Sequence, residues 1–184
     1  MRRTLLILIL ATFVMSVTSC YGFATIRKDG PYEGKVIDVE TGEPIEGVVI
    51  LGIWSREIIS PGGATHNFYD AQETVTDKHG DFRIEGMGLK ILSNVTPMDV
   101  LIFKTGYEYE SGSWSSLKKY AKKIKWEGSK AIISLKKLKM EDRKRQGSPD
   151  FSSKIPGNKM KLMLAEINKD RIERGLTPYQ VEGE

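Results

Sequence analysis

Cysteine is nearly absent from this chain. Cys20 is the only one in 184 residues, so no disulfide can form within it. Histidine is almost as scarce, with His66 and His79 alone. An open hydrolytic zinc site takes two histidines and a carboxylate, and neither histidine stands in His-x-x-Glu spacing. A serine triad would need one of the same two as its base, and no Gly-x-Ser-x-Gly elbow is present. Phosphate loops and dinucleotide fingerprints are missing too. The sequence therefore assigns no catalytic residue, no metal ligand and no cofactor. Charge of one sign is also lacking: 28 Lys and Arg stand against 24 Asp and Glu, a net +4. So mild a balance does not point to nucleic acid. The basic residues concentrate at 118–144, which suits acidic lipid, polysaccharide or a plainly solvated surface.

What is present begins at the N-terminus. Arg2 and Arg3 precede an apolar run over residues 5–14 that only Thr12 interrupts, and Ser16 to Ser19 lead in small steps to Cys20. This is the three-part plan of an export signal over residues 1–19, and the run is short for a bilayer span. Val17-Thr18-Ser19-Cys20 resembles the bacterial lipobox. Proteins with that motif are cut before the cysteine, whose thiol carries diacylglycerol. Two other readings stay open: an ordinary cleaved signal that leaves Cys20 bare, and an uncleaved anchor. Chemistry favours the lipid, because a free thiol in an oxidising compartment is a liability. Two or more acyl chains also hold a protein on a membrane where one does not. Tyr21 is not the aspartate associated with inner-membrane retention, so outer-membrane sorting facing the periplasm is expected.

Residues 20–31 read as a tether. Strand signals then recur. Residues 32–39 alternate through Tyr32, Gly34 and Val36, with a slip to Val39 that leaves Lys35 and Asp38 outward. A turn at 40–44 leads to an apolar strand over 45–54. Residues 55–67 look looser, because Ser60-Pro61-Gly62-Gly63 cannot continue a central strand. Strands follow at 68–76, 81–85, 98–104 and 131–138, with a tight turn at 77–80 and a helical or irregular excursion near 117–124. Asp38, Glu40, Asp77 and Asp81 cluster near turns. A calcium site and turn formation both account for them, the second without any ligand. Residues 139–158 read as a linker. Asn158 is placed to cap a helix over 159–174 that carries Met160, Met163, Leu164 and Ile167 on one face and stops at Gly175. That stripe suits packing on its own domain, docking to a partner or lying on a membrane.

Three segments in order carry a family resemblance. They are Gly34-Lys35-Val36-Ile37-Asp38 with Thr41-Gly42-Glu43-Pro44-Ile45-Glu46-Gly47-Val48-Val49, then Thr74 to Ile84 (TVTDKHGDFRI), then Phe103-Lys104-Thr105-Gly106-Tyr107-Glu108. The pattern resembles the carboxypeptidase regulatory-like domain, a transthyretin-like (prealbumin-like) module. The resemblance covers about residues 32–110, with 131–138 completing it. It implies an all-β fold: an antiparallel β-sandwich of transthyretin-like or Ig-like type over 32–138, followed by a C-terminal α-helical tail. It implies a scaffold and assigns no site.

Binding residues are therefore sought in the two stretches longer than the family's simplest form, 55–70 and 108–130. They and the strand end beside them carry Trp54, His66, Phe68, Tyr69, Trp114 and Trp126, which suit sugar stacking or a peptide clamp, or closure of the core ends. The expected protein is a non-enzymatic envelope lipoprotein. It is held on the membrane by lipid on Cys20 and binds an envelope protein, a peptide or a glycan. The alternative is an accessory subunit of an envelope enzyme or transport assembly, docked through its C-terminal helix.

Overall fold

The computed structural model describes residues 26–120, 123–149 and 155–180. The signal-like segment, Cys20 and the first part of the tether lie outside them.

Two four-stranded sheets and one two-stranded sheet carry the fold. β1 (Arg27–Asp29) pairs with β6 (Gly88–Lys90), so the end of the expected tether is already part of a sheet. One four-stranded sheet runs β5 (Asp81–Ile84), β2 (Tyr32–Asp38), β10 (Lys130–Leu135), β9 (Ile124–Glu127). The other runs β4 (Gly63–Val75), β3 (Val49–Ser60), β7 (Asp99–Phe103), β8 (Glu110–Ser113). The β2–β10 pair is parallel, from Glu33 opposite Lys130 to Asp38 opposite Leu135. That sheet is therefore mixed, while the other two are antiparallel, so the fold is not antiparallel throughout. The long excursion between β7 and β10 returns the chain in the direction of β2, a crossover that a hairpin cannot make.

One core lies between the two large sheets, from Val36, Ile50, Trp54, Phe82, Ile84, Val100, Ile102 and Ile133. A second lies on the other face of the β3–β7 sheet. There Val49, Leu51, Leu101 and Phe103 meet Met160, Met163, Leu164 and Ile167 of the C-terminal segment. Alternation along β3 and β7 feeds both cores at once. This explains why residues 49–54 are apolar on both faces: the strand is covered on each side.

β3 does not end at Trp54. It continues to Ser60 and turns at Pro61-Gly62 into β4, with Ser60 opposite Gly63. The Ser-Pro-Gly-Gly stretch is a hairpin tip, so the expected loose segment is a β-ribbon. One register shift, between Trp54 and Ser55, leaves Tyr69 as the extra residue on β4. The second long stretch also carries regular elements. It supplies β8, the helix α1 (Trp114–Tyr120) and β9.

Two local expectations change for a clear reason. Asp38 is buried and Val39 is exposed, so no slip occurs in β2. Asp38 keeps the inward parity and turns its carboxylate onto the backbone N–H groups of Glu40 and Thr41, at 2.8 and 3.2 Å. Asp77 does the same for His79 and Asp81, at 2.8 and 2.9 Å. Gly80 closes that turn at φ +75°, where an added Cβ would strike the Val36 carbonyl.

The expected linker holds the helix α2 (Met140–Gln146), whose Arg143 is buried against Asp170 of α3 (Lys161–Glu173). A 3₁₀ turn over Gly157–Lys159 precedes α3. Asn158 therefore falls within that turn and caps nothing. Met160 occupies the cap position and makes no side-chain cap bond. The cap comes from another element: the carboxylate of Glu73 on β4 accepts the N–H of Met163 at 2.7 Å and of Leu162 at 3.1 Å. Gly175, at φ +77°, ends the helix as its position predicts.

Candidate functional site

The aromatic residues expected to contact a ligand divide into two groups. Trp54 is wholly buried, and its indole N–H donates to Asp29 Oδ1 at 2.8 Å. Tyr32 lies 6.4 Å from Trp54 and 5.5 Å from Trp114, ring centre to ring centre. Trp114 meets Phe82 edge-on at 6.3 Å and Trp126 at 5.4 Å. These rings form one continuous cluster against the core between the sheets. They close that end of the core, and Trp54, Trp114 and Trp126 are not free loop residues. Phe68 packs against the helix-side core. The reason is positional: β8, α1 and β9 bring the stretch after residue 108 back onto the sheets.

His66 and Tyr69 remain at the surface, on the ribbon of β3 and β4. The bulge turns Tyr69 outward, where the Arg56 guanidinium lies 5.1 Å and the Lys90 ammonium 5.4 Å from its ring centre. Arg56 comes from β3 and Lys90 from β6, so Tyr69 joins the ribbon to the two-stranded sheet. Neither cation stood out in the sequence, because only the fold brings residues 56, 69 and 90 together.

Behind this surface lies a buried polar centre that sequence reasoning missed. Asp29 Oδ1 also accepts the Met87 N–H at 3.1 Å, and Oδ2 lies 3.3 Å from Arg27. Burial, and then the Asp29 carboxylate, push the Tyr32 phenol well above its ordinary value of 10.0. Asp29, Trp54 and Tyr32 each serve another protein group, which makes this a structural lock.

The described residues also form open grooves, among them two of about 470 and 490 Å³. Glu33, Asp77, Asp81, Arg83 and Lys130 line the first. Lys130 pairs with Asp81 at 2.9 Å, and Arg83 pairs with Glu33 and with Glu85. Hydrogen bonds from Arg83 hold the Glu85 carboxyl below the usual range, and the N–H groups of Asp81 and His79 do the same for Asp77. Asp38, Glu40, Lys104 and Tyr107 line the second. Among the described residues no group of three or more His, Cys, Asp or Glu is arranged to hold a metal. No described helix is long and apolar enough to cross a membrane.

Comparison with known proteins adds little. No family model and no curated protein matches the chain. Among solved structures, it is similar to 3-chlorocatechol 1,2-dioxygenase from Rhodococcus opacus 1CP, at 19% identity and a TM-score of 0.30. That match covers 60% of this chain and 62% of the dioxygenase chain. A likeness of this size carries no functional argument.

The surface around Tyr69 is therefore the candidate site: aromatic, basic, and built from three strands whose backbones are held by pairing. It offers cation and ring contacts. Cys20, the remaining candidate, lies outside the described residues.

Proposed function

We propose that the protein is a non-enzymatic envelope lipoprotein, anchored by diacylglycerol on Cys20 and facing the periplasm from the outer membrane. Its β-rich domain is a transthyretin-like sandwich that serves as a binding or scaffold module for an envelope protein, a peptide or a glycan. The observation that carries this reading is the sole cysteine at the end of a basic, apolar and small-residue leader. Two four-stranded sheets sharing one core, with Gly42, Gly47, Gly80 and Gly106 of the family segments at positive φ between strands, support the sandwich type. The scaffold role draws support from the ring contacts, which occupy Tyr32, Trp54, Phe82, Trp114 and Trp126 within the domain.

Docking through the apolar stripe of α3 is the weaker alternative, because that stripe already covers the β3–β7 sheet. Met163 and Ile167 are fully buried there, and each contributes about 1.5–3 kcal/mol relative to exposure.

The test is metabolic labelling of the full chain with a palmitate analogue, followed by membrane fractionation. Wild-type protein should take up label and pellet with membranes, while Cys20→Ser should lose the label. An unlabelled wild type, or label that survives Cys20→Ser, contradicts the reading.

A further inference from the structure

The sheet of β1 and β6 is inside out for a surface that faces water. Its polar residues point inward. Arg27 donates to the carbonyls of Val95 and Thr96 at 2.8 and 2.9 Å, and Asp29 is buried beneath Trp54 and Met87. Strand alternation then sends Ile26 and Lys28 outward. Leu89 pairs with Lys28, and the same register carried one residue on sets Ile91 opposite Ile26. Ile26, Leu89 and Ile91 are 71%, 64% and 57% exposed. Leu92, beside them, is 73% exposed and takes φ +52°, a left-handed conformation unfavourable for leucine. Single exposed apolar residues need no explanation, but four on one small face do.

Charge and connectivity indicate what covers this face. From Gly86 to Pro97 the one charged residue is Lys90, which pairs with the inward Arg27 and turns to Tyr69, so the cation on the outer face is Lys28, opposite Leu89. The face is thus apolar with a basic edge and carries no carboxylate of its own. It is also where the chain enters the fold, since Ile26 is six residues beyond Cys20. Six residues reach at most about 20 Å when fully extended.

We propose that the outer face of the β1–β6 sheet rests on the lipid bilayer. Ile26, Leu89, Ile91 and Leu92 enter the interface, and Lys28 lies toward anionic headgroups. The bilayer's identity rests on the lipid-anchor reading above; the face itself does not. β2 leads away from this end, so the turn at Glu40 stands on the far side, facing the periplasm together with the groove beside it.

The test uses the full chain, purified from membranes and placed in vesicles of phosphatidylethanolamine and phosphatidylglycerol. An environment-sensitive dye is attached at Leu89→Cys, at Ile91→Cys as a second position, and at Glu40→Cys as the distant control. Dyes at 89 and 91 should shift to the blue and be quenched by spin-labelled lipid several-fold more than the dye at 40, consistent with burial about 5–10 Å inside the headgroup boundary. Peptide mass analysis of the same samples reports separately whether Cys20 is lipidated. Equal, water-like signals at all three positions overturn the proposed face even when Cys20 carries lipid. Quenching at 89 and 91 with Cys20 bare upholds the face and removes the anchor. Shielding that already occurs in detergent and grows with protein concentration also overturns it, by identifying a second copy as the occupant.

Discussion

Trp54 and Asp29 sit where the apolar core meets its polar end, and the two residues explain each other. A fully buried indole needs an acceptor, and a buried carboxylate needs donors; here one contact supplies both. Tyr32 belongs to the same centre, and its behaviour with pH follows from its surroundings. The folded state holds the phenol protonated above its ordinary value of 10.0, while the unfolded chain releases the proton near that value. Stability from this group is therefore complete below about pH 10 and falls as pH rises beyond it, by at most about 1.4 kcal/mol per pH unit for one proton. Urea midpoints between pH 9 and 11 should fall for wild type and fall less steeply for Tyr32→Phe, although Tyr32→Phe starts lower. Parallel slopes would contradict the assignment. At this scale the sequence was legible where periodicity speaks: Phe82 and Ile84 alternate into the core as they alternate in the chain. Asp38 was misread because polarity was taken as exposure, whereas its carboxylate is spent on its own turn. The tryptophans could not be placed from sequence, since an aromatic ring suits a ligand and a core equally well.

The C-terminal helix shows what an element takes from distant chain. Its first turn has no side-chain cap of its own, and Glu73, far away in sequence, supplies the acceptors. Glu166 in turn accepts the Thr105 N–H at 2.9 Å, which ties the middle of α3 to the loop after β7. Replacing Glu73 by Ala should cost about 1–2 kcal/mol in urea unfolding and speed amide exchange at Leu162 and Met163. Unchanged exchange at those two amides would show that the cap does not hold the helix. The apolar stripe and the stop at Gly175 were readable from spacing alone. The starting residue was not, because a tertiary cap leaves no local signal. α2 was hidden for a similar reason: its buried member is Arg143, and an arginine reads as surface until Asp170 is seen 2.5 Å away. The ribbon of β3 and β4 was hidden by its Pro-Gly tip, which breaks a central strand but makes a good hairpin turn.

Taken whole, the molecule is a β-rich domain whose large aromatic rings mostly point inward. What remains outward is unevenly distributed. The β1–β6 end is apolar with Lys28 on it and is where the described chain enters the fold, whereas the opposite end carries the acidic turn at 38–43. That polarity suits a protein held at one end and presenting the other. The anchor in this arrangement depends on what happens at Cys20, where sequence spoke most plainly and the described structure does not reach. The most direct measurement is the mass of the N-terminal peptide of protein purified from its own membranes. The account predicts a chain that begins at Cys20 and carries diacylglycerol, with residues 1–19 removed. A chain that retains those residues, or a bare Cys20 thiol, would contradict it.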